Sequence, residues 1–567
     1  MKRSLAIRTW LACGVAAACL AGAGVPAKAA DVDANALLKA DENPNDWLMY
    51  HQSYKSWHYS ALDQINANNV KDLKVVWMHT PGANKRGVQS VPIVVDGVLY
   101  YTTSGSQIWA LDGATGAFLW KFEPKIDKDR AEGTVYNPYN RGVAAAFGKL
   151  YIGTADGRLI AVDMKTGKQV WNQKFAEARD GYFATSAPIV ANGVLISGMA
   201  GGESTTRGFL DGWDPDTGKK LWRTYTIPAP GEPGSETWPK DTDAWKVGGG
   251  PTWRSGSYDP ELDLVYWGVG NAEPYDPRPR GALDSLYTSS VLAIRPKTGA
   301  IACYFQYTPN DVYDVDGNDE QVLADIRVNG QPRKVMIQAN KNGFLYVLDR
   351  TNCTLIAASA LVKVNWASHV DLATGRPVLT DVYKRFLAGE EVEIWPSRGT
   401  NAVPIAFNPN TGLIYASTWN TPRIQKLAPP KPQVAGTNST GVIGRLPPVP
   451  PGEPYGHFVA VDPLTGKKKW AVPLTDFPSS AGMLATDGGL VFTGKLSGEF
   501  VALDADTGRT LWQFKTGSSI NSTAITYTHN GRQFVTIASG RGGGLANLYA
   551  ADKVPAGGSV WTFALSQ

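Results

Sequence analysis

The chain has 567 residues, of which 60 are glycine and 19 are tryptophan, and only 19% of its residues are charged. A single hydrophobic core stops growing at roughly 250–300 residues, so this length requires several domains or a repeat fold. The composition, with 43% hydrophobic residues, excludes a disordered chain, a coiled coil and collagen. The net charge of +4 comes from the first 30 residues, which hold four basic residues and no acidic one. The rest of the chain is formally neutral, so nucleic acid is not expected as a partner.

The N-terminal segment has the pattern of a secretory signal peptide. Residues 1–30 combine a basic start, a short apolar stretch and small residues before a cleavage point near Ala29 or Ala30. The alternative is a transmembrane anchor, but a span needs about 20 apolar residues and this stretch is shorter. We therefore expect an exported, periplasmic protein with no membrane span, in which residues 31–567 form a single domain.

An eleven-residue frame, A-x-D-x-x-T-G-x-x-x-W, recurs along the chain. Close copies of the frame end at Trp120, Trp171, Trp222, Trp470 and Trp512. In each copy an apolar strand ends at the aspartate, the glycine allows a tight turn, and the next strand carries the tryptophan. Hairpin-rich sheets at such spacing are typical of propeller blades, with each tryptophan packing one blade onto its neighbour. The sequence therefore predicts an all-β fold, a β-propeller with tryptophan-docking motifs.

The two cysteines of the expected mature chain fall on this frame. Cys303 takes the tryptophan position of one degenerate copy, and Cys353 takes the glycine position of the next. If each tryptophan docks on the turn of the following copy, these two side chains meet. We expect a disulfide bond between adjacent blades, which export permits. The alternative is two buried thiols.

A proline-rich stretch at residues 422–456 interrupts the repeat. Its composition predicts a long extended insertion. Such an excursion on a rigid β scaffold either covers a functional site or is merely decorative.

Oxygen-bearing side chains follow several apolar strands and lie beside glycines. They are Glu203, Asn271, Asp314 and Asp316. Carboxylate and amide oxygens are hard ligands, suited to Ca²⁺ or a similar cation. The alternative is that these residues are solvated, as acids in turns usually are.

Several ordered motifs resemble those of the quinoprotein alcohol dehydrogenases, which use pyrroloquinoline quinone (PQQ). The motifs are Asp46-Trp47, Ser60-Ala-Leu-Asp-Gln-Ile-Asn66, Asn140-Arg-Gly-Val-Ala144, Gly248-Gly-Gly-Pro-Thr-Trp253, Thr308-Pro-Asn-Asp311 and Ser480-Ala-Gly-Met-Leu-Ala485. The resemblance spans nearly the whole mature chain. It implies an eight-bladed propeller that binds PQQ and a metal ion and oxidises an alcohol to an aldehyde or ketone.

The resemblance also implies roles for individual residues. Glu203, Asn271 and Asp314 correspond to metal ligands, and Asp314 also corresponds to the catalytic base. The positions that correspond to cofactor contacts are Gln89, Arg141, Thr185, Trp253, Lys341 and Asn401. Among these, Trp253 corresponds to the indole that stacks on the ring plane of PQQ.

Asp316 decides which metal is expected. Members that resemble the lanthanide-dependent enzymes carry a D-x-D motif, here Asp314-Val-Asp316, whereas calcium-type members usually have a small residue at the second position. Three carboxylates favour a trivalent ion, because Coulomb attraction scales with the charge of the ion. We therefore expect a lanthanide(III) ion, with Ca²⁺ as the alternative. A solvated turn position is the other reading of Asp316.

Some positions depart from the family pattern and bear on the substrate. Val135 and Tyr136 stand where many members have adjacent cysteines, Ala200 replaces a common serine, and Glu273 stands where a small residue is usual. These changes disfavour methanol and favour a bulkier primary or secondary alcohol.

The resemblance further implies that hydride moves to C5 of PQQ, with the metal as Lewis acid. The sequence holds no C-x-x-C-H haem motif, so we expect a separate cytochrome c as electron acceptor. Two alternatives stay open: an enzyme of the same family for sugars, polyols or polymeric alcohols, and a non-catalytic propeller scaffold.

Overall fold

The computed structural model describes residues 32–82, 87–127, 139–400, 403–542, 548–550 and 552–566. The expected signal peptide, Val135, Tyr136 and Asn401 lie outside this part of the chain. Within it, eight sheets contain at least four strands each. They confirm the predicted eight-bladed β-propeller.

Each blade begins with a strand whose first residues are buried and ends with a partly exposed one. Blade 1 contains Ile93–Val95, Val98–Thr103, Gln107–Asp112 and Phe118–Phe122; blade 2 contains Ala144–Ala146, Lys149–Gly153, Arg158–Asp163 and Gln169–Lys174; blade 3 contains Ile189–Ala191, Val194–Gly198, Phe209–Trp213 and Lys220–Tyr225; blade 4 contains Ser257–Asp259, Leu264–Val269, Ser290–Ile294 and Ile301–Gln306. Blade 5 contains Val322–Val328, Gln331–Ala339, Phe344–Asp349 and Thr354–Ala360; blade 6 contains Ala406–Asn408, Leu413–Trp419, Gly456–Val461 and Lys468–Leu474; blade 7 contains Leu484–Thr486, Leu490–Gly494, Glu499–Asp504 and Thr510–Lys515; blade 8 contains Ile525–His529, Arg532–Ser539, Ser559–Leu565 and Leu73–His79.

The two ends of the described chain close the ring in blade 8. Its outer strand, Leu73–His79, comes from the N-terminal part and pairs antiparallel with Ser559–Leu565, so that Leu73 is opposite Leu565 and His79 is opposite Val560. Tyr59–Ser60 adds a fifth strand to blade 7, parallel to Leu484–Thr486. The N-terminal and C-terminal parts of the chain are therefore held together by backbone hydrogen bonds within blade 8.

The repeated frame forms a turn stabilised by its own aspartate. Asp112 Oδ1 accepts hydrogen bonds from the backbone amides of Ala114 and Thr115 at 3.1 and 2.8 Å, and Gly116 has φ +72°. The same bonding recurs in the other copies at Asp163, Asp214, Asp462 and Asp504. Short polar side chains favour such turns because they bond the backbone two or three residues on.

Four of the five frame tryptophans dock on the turn of the following blade, whereas Trp512 packs against Phe563 of blade 8. Trp171 of blade 2 donates from Nε1 to the carbonyl oxygen of Pro215 at 3.1 Å, and a Cβ atom on Gly218 would lie 2.7 Å from Trp171 Cδ2. Corresponding Nε1 bonds are made by Trp77, Trp120, Trp222 and Trp470. Glycine at the turn thus leaves the space that the indole fills.

The expected disulfide bond joins Cys303 to Cys353, whose Cα atoms are 5.8 Å apart. Cys303 lies in the last strand of blade 4, and Cys353 lies in the turn before the last strand of blade 5. Cys353 has φ +63°, in the left-handed region that glycine adopts at the other turns. The disulfide bond therefore replaces the tryptophan–glycine contact between these two blades.

Smaller elements decorate the propeller. The α-helices are Ala34–Leu38 and Asp381–Leu387, a hairpin contains Ala367–Asp371 and Arg376–Leu379, and a three-stranded sheet contains Val392–Ile394, Arg423–Leu427 and Val442–Arg445. Single 3₁₀ turns are formed by Ala40–Glu42, Val70–Asp72, Ala178–Asp180, Gly202–Ser204, Ser235–Thr237, Ala244–Val247 and Arg278–Arg280. Two strands of the small sheet belong to the proline-rich stretch 422–456, which is therefore partly ordered into sheet. Among the described residues, no helix combines the length and the apolar character needed to cross a membrane.

Candidate active site

A cavity of about 460 Å³ lies at one end of the propeller. Most of the predicted site residues line it: Gln89, Arg141, Thr185, Glu203, Trp253, Asp314, Asp316 and Lys341. Each of them precedes the first strand of a blade or follows its second strand. Because antiparallel strands alternate in direction, these connections all emerge at the same end of the propeller. Asn271 is buried beside the cavity, and Asn401 lies outside the described residues.

Lys341 lies between the two carboxylates of the D-x-D motif. Its Nζ atom is 2.8 Å from Asp314 Oδ1 and 2.6 Å from Asp316 Oδ2. Arg423 approaches the second oxygen of Asp314, with Nη2 3.1 Å from Oδ2. Asp316 is only 3% exposed, so its reading as a solvated turn residue is wrong.

Asn271 shares this cluster through its backbone and side chain. Its amide nitrogen donates to Asp316 Oδ1 at 2.9 Å. Its own Oδ1 is buried without a hydrogen-bond partner in the described structure, and a Cβ atom on Gly202 would lie 3.0 Å from it. A buried, unpaired oxygen is costly, and a bound cation would satisfy it.

The backbone around Asp314 is held in an uncommon conformation. Asp314 has φ +59°, a left-handed value that costs a non-glycine residue about 1–2 kcal/mol. Asp311 stabilises this segment, because its carboxylate accepts from the amides of Tyr313 and Val315 at 2.9 and 3.0 Å. The surrounding hydrogen bonds thus fix the direction of the Asp314 side chain.

The carboxylates of the site differ strongly in their affinity for protons. Burial opposes the ionisation of Asp314, but the positive charges of Lys341 and Arg423 outweigh it and lower its pKa to about 2. Burial raises the pKa of Glu203 to about 7, and the negative charges of Asp314 and Asp316 add to this shift. Without a bound cation the site therefore holds Asp314 ionised and Glu203 partly protonated at neutral pH.

Another part of the cavity wall suits a planar anion. The Arg141 guanidinium lies 5.0 Å from the ring centre of Trp253, and its Nη1 donates to Thr185 Oγ1 at 2.7 Å. Guanidinium groups and indole faces both favour flat ligands, and guanidinium also pairs with carboxylates. These residues fit PQQ.

A hard cation would suit the side-chain oxygens of Glu203, Asn271, Asp314 and Asp316, although these oxygens do not converge on a single point. A tight group of metal-type ligands is formed instead by His51, His58 and Glu320, and it is the only such group of three or more within the described ranges. Its nearest ligand atoms are 3.0–3.3 Å apart. Glu320 also pairs with Arg254, which lines the cavity beside Trp253.

The structure adds three residues whose positions sequence reasoning did not predict. Arg398 lines the cavity, and Arg423 reaches Asp314 from the proline-rich stretch. Glu273, noted above only as a departure, is fully buried, and neither of its carboxylate oxygens has a hydrogen-bond partner among the described residues. Burial raises its pKa well above the usual value, and Glu203 adds to the shift. Only Glu273 had a sequence signal, as a charged residue between Asn271 and the next proline.

An eight-bladed propeller with carboxylates, a lysine and a cation–indole pair around one cavity defines a class of cofactor-dependent propeller enzymes. The family described as "PQQ: Glucose/ethanol/alcohol dehydrogenase, beta-propeller domain" matches residues 47–364 and 394–535. The chain therefore belongs to the PQQ-dependent alcohol dehydrogenase family and is an enzyme of that family, which excludes the non-catalytic scaffold.

Individual relatives agree with this assignment. The chain is 41% identical to quinohemoprotein alcohol dehydrogenase ADH IIB of Pseudomonas putida, over 91% of this chain and 76% of that protein. It is 35% identical to quinoprotein alcohol dehydrogenase PedH of Pseudomonas putida, over 93% of this chain and 92% of that protein. Among solved structures, a europium-containing methanol dehydrogenase superposes with a TM-score of 0.89 at 32% identity, covering 94% of this chain and all of that one.

Proposed function

We propose that the chain oxidises a primary or secondary alcohol to an aldehyde or ketone in the 460 Å³ cavity. The observation that carries this proposal is the Asp314 carboxylate, which is paired with Lys341 and Arg423 and lines the same cavity as Trp253 and Arg141. A general base must be deprotonated before the reaction and must reach the hydroxyl group of the substrate. Asp314 meets the first condition, and its place in the cavity wall supports the second.

Two groups of side chains would hold the cofactors. Glu203, Asn271, Asp314 and Asp316 would bind the metal ion. PQQ would be bound by Gln89, Arg141, Thr185, Trp253, Lys341 and Asn401. When bound, PQQ supplies the two-electron acceptor and the metal supplies a Lewis acid.

The protein contributes orientation and a place for the proton. Asp314 accepts the hydroxyl proton of the alcohol at Oδ2, where its contact with Arg423 is the longer of its two ion pairs. Hydride leaves the alcohol carbon as this proton moves, so the product is a carbonyl compound. Movement of Lys341 away from Asp314 would raise the pKa of the carboxyl toward its usual value, because Lys341 makes the largest lowering contribution. Lys341 thus controls the basicity of Asp314.

We infer that the metal is a lanthanide(III) ion, with Ca²⁺ as the alternative. The support is the second carboxylate, Asp316, which is buried against Lys341 and bonded to the backbone of Asn271. The similarity to a europium-containing methanol dehydrogenase points the same way. Buried carboxylates gathered in one place need a highly charged partner.

We further propose periplasmic export by cleavage of residues 1–30, a single propeller domain over residues 31–567, and a separate cytochrome c as electron acceptor. The absence of a C-x-x-C-H motif in the sequence supports the separate acceptor. Reduction of an added cytochrome c by enzyme and alcohol would test it, and electron transfer only to artificial dyes would count against it. A substrate panel that includes sugars, polyols and polymeric alcohols would test the substrate class.

Replacement of the base tests the mechanism directly. We expect Asp314→Asn to abolish dye-coupled alcohol oxidation by the enzyme reconstituted with PQQ and metal, because an amide does not accept the proton. Removal of a general base alone costs about 10²–10⁴-fold in rate. Circular dichroism should report an unchanged fold.

The matched control is Asp381→Asn, a carboxyl that is 85% exposed on the Asp381–Leu387 helix. This variant should keep the wild-type rate. Normal turnover in Asp314→Asn would sink the proposed mechanism.

A further inference from the structure

Arg398 is half-buried in the wall of the active-site cavity, and its charge has no carboxylate ion-pair partner among the described residues. Its Nη1 atom is buried and has no hydrogen-bond partner among the described residues. Asp314, whose negative charge acts on Arg398, forms its ion pairs with Lys341 and Arg423 instead. Burying an unpaired guanidinium is unfavourable unless an anion completes the site.

Arg423 places a second guanidinium near the first. Its Nη1 donates to the carbonyl oxygen of Tyr313 at 2.7 Å, its Nη2 lies 3.1 Å from Asp314 Oδ2, and its side chain is only 11% exposed. Desolvation lowers the pKa of Arg398, and repulsion by Arg423 adds to this shift. The carboxylate of Asp314 offsets part of this repulsion, and a further anion beside the two guanidinium groups would offset more of it.

The two arginines line adjoining cavities, Arg398 the active-site cavity and Arg423 an outer one. A second cavity of about 520 Å³ is lined by Arg423, Arg445 and Tyr275, and it shares Leu446 and Leu548 with the active-site cavity. No carboxylate lines this outer cavity. We call this outer cavity the vestibule; Arg423 lies in its wall and contacts Asp314 of the active-site cavity.

We propose that Arg398 and Arg423 form a subsite for an anionic group of the substrate, so that the preferred substrates are short alcohols that carry a carboxylate. This proposal rests on the proposed function, since it names the substrate of the same site. Guanidinium groups pair with carboxylates through parallel hydrogen bonds. The chain between hydroxyl and carboxylate is short, because Arg423 contacts the same carboxyl that receives the hydroxyl proton. The substrate carboxylate stays unchanged while the alcohol loses a hydride and a proton.

The test compares a charged substrate with a neutral one of the same shape. For the holoenzyme we expect kcat/KM to be higher for 4-hydroxybutanoate than for 4-hydroxybutanamide. Arg398→Gln should lower kcat/KM for the acid about 10- to 100-fold, as expected for loss of a charged hydrogen bond. The amide should change by less than about threefold, and Arg398→Lys should recover much of the loss for the acid.

Arg445 provides the matched control. It lines the same vestibule, but its guanidinium is already paired with Glu391 through two contacts of 2.8 Å. Arg445→Gln should therefore leave the preference for the acid unchanged.

Two outcomes would overturn the subsite. A wild-type enzyme that does not prefer the acid over the amide would overturn it. So would an Arg398→Gln variant that binds PQQ more weakly in a PQQ titration and loses both substrates equally, since the anion would then be a carboxylate of PQQ.

Calorimetric titration with butanoate separates this proposal from the proposed function. Binding to the wild type that Arg398→Gln loses would support the subsite even if no alcohol is oxidised, a result that would sink the proposed function alone. Equal butanoate binding by both proteins, or none by either, would count against the subsite.

Discussion

Lys341 forms ion pairs with two carboxylates, because its Nζ atom lies 2.8 Å from Asp314 Oδ1 and 2.6 Å from Asp316 Oδ2. The lysine therefore neutralises part of the charge that a metal ion would otherwise meet. Glu203, whose pKa is raised to about 7, loses its proton more readily when a cation binds nearby. The affinity of the site for a cation thus depends on the number of ionised carboxylates and on the mobility of Lys341.

At this scale we predict that Asp316 sets the preference for a trivalent ion. Asp316→Ala should lower the affinity for La³⁺ by on the order of 100-fold or more and the affinity for Ca²⁺ by a smaller factor, because the lost attraction scales with ion charge. Isothermal titration calorimetry of the metal-free protein measures both affinities.

Asp319→Asn is the control for this prediction. Desolvation raises the pKa of Asp319 to about 8, so this carboxyl is largely neutral at pH 7 and an amide preserves its charge. The control should bind both ions with nearly wild-type affinity. An equal loss for La³⁺ and Ca²⁺ in Asp316→Ala would contradict the prediction.

The cluster could be predicted from the sequence only in part. Asp314, Asp316 and Lys341 stand in or beside recognisable motifs, and each follows an apolar strand. The contact of Arg423 with Asp314 spans 109 positions in sequence and depends on how the proline-rich stretch folds back. Local patterns carry no information on such a contact. The lack of hydrogen-bond partners for the Glu273 oxygens likewise could not be predicted, because it depends on how the neighbouring residues pack around the side chain.

At the scale of elements, the turn of the repeated frame recurs because the residues that form it are close together in sequence. The aspartate, the threonine and the glycine lie within five residues and form their hydrogen bonds without help from other blades. This is why the blade repeat could be predicted from the sequence. The pairing of Arg423–Leu427 with Val392–Ile394 could not, because those strands are far apart in the chain and have no shared frame.

We predict that the glycines of the frame are required by the packing of a tryptophan against the turn as well as by the backbone conformation of the turn. Gly218→Ala should cost about 1–2 kcal/mol for its φ of +70° and about 1–3 kcal/mol more, because the new methyl group would displace Trp171. Urea unfolding measures the total.

The control is Gly412→Ala, at a turn of the same type with the same φ of +70° and no atom within 4 Å of the added Cβ. It should show the first cost alone. Equal costs for the two variants would mean that the indole contact contributes nothing to the choice of glycine.

At the scale of the whole molecule, the disulfide bond is a covalent link between two neighbouring blades. It closes a loop whose ends are 50 residues apart. Such a link stabilises chiefly by restricting the unfolded chain. It lies at the interface between blades 4 and 5, where cysteines occupy the tryptophan and glycine positions of the repeated frame.

We predict that replacing both cysteines, Cys303→Ser with Cys353→Ser, lowers the free energy of unfolding by about 2–4 kcal/mol. A reductant should destabilise the wild type by a similar amount and leave the double variant unchanged. Urea unfolding with and without dithiothreitol measures both effects. A wild type that is insensitive to the reductant, yet contains two free thiols by mass spectrometry, would contradict the disulfide bond.

The pairing of Leu73–His79 with Ser559–Leu565 also sets the order of events during biogenesis. The ring stays open until the last strands have been synthesised. Part of the cavity wall, including Ser522 and Thr523, belongs to this late segment. An incomplete chain therefore has no complete pocket for PQQ, so cofactor loading has to follow synthesis of the last strands.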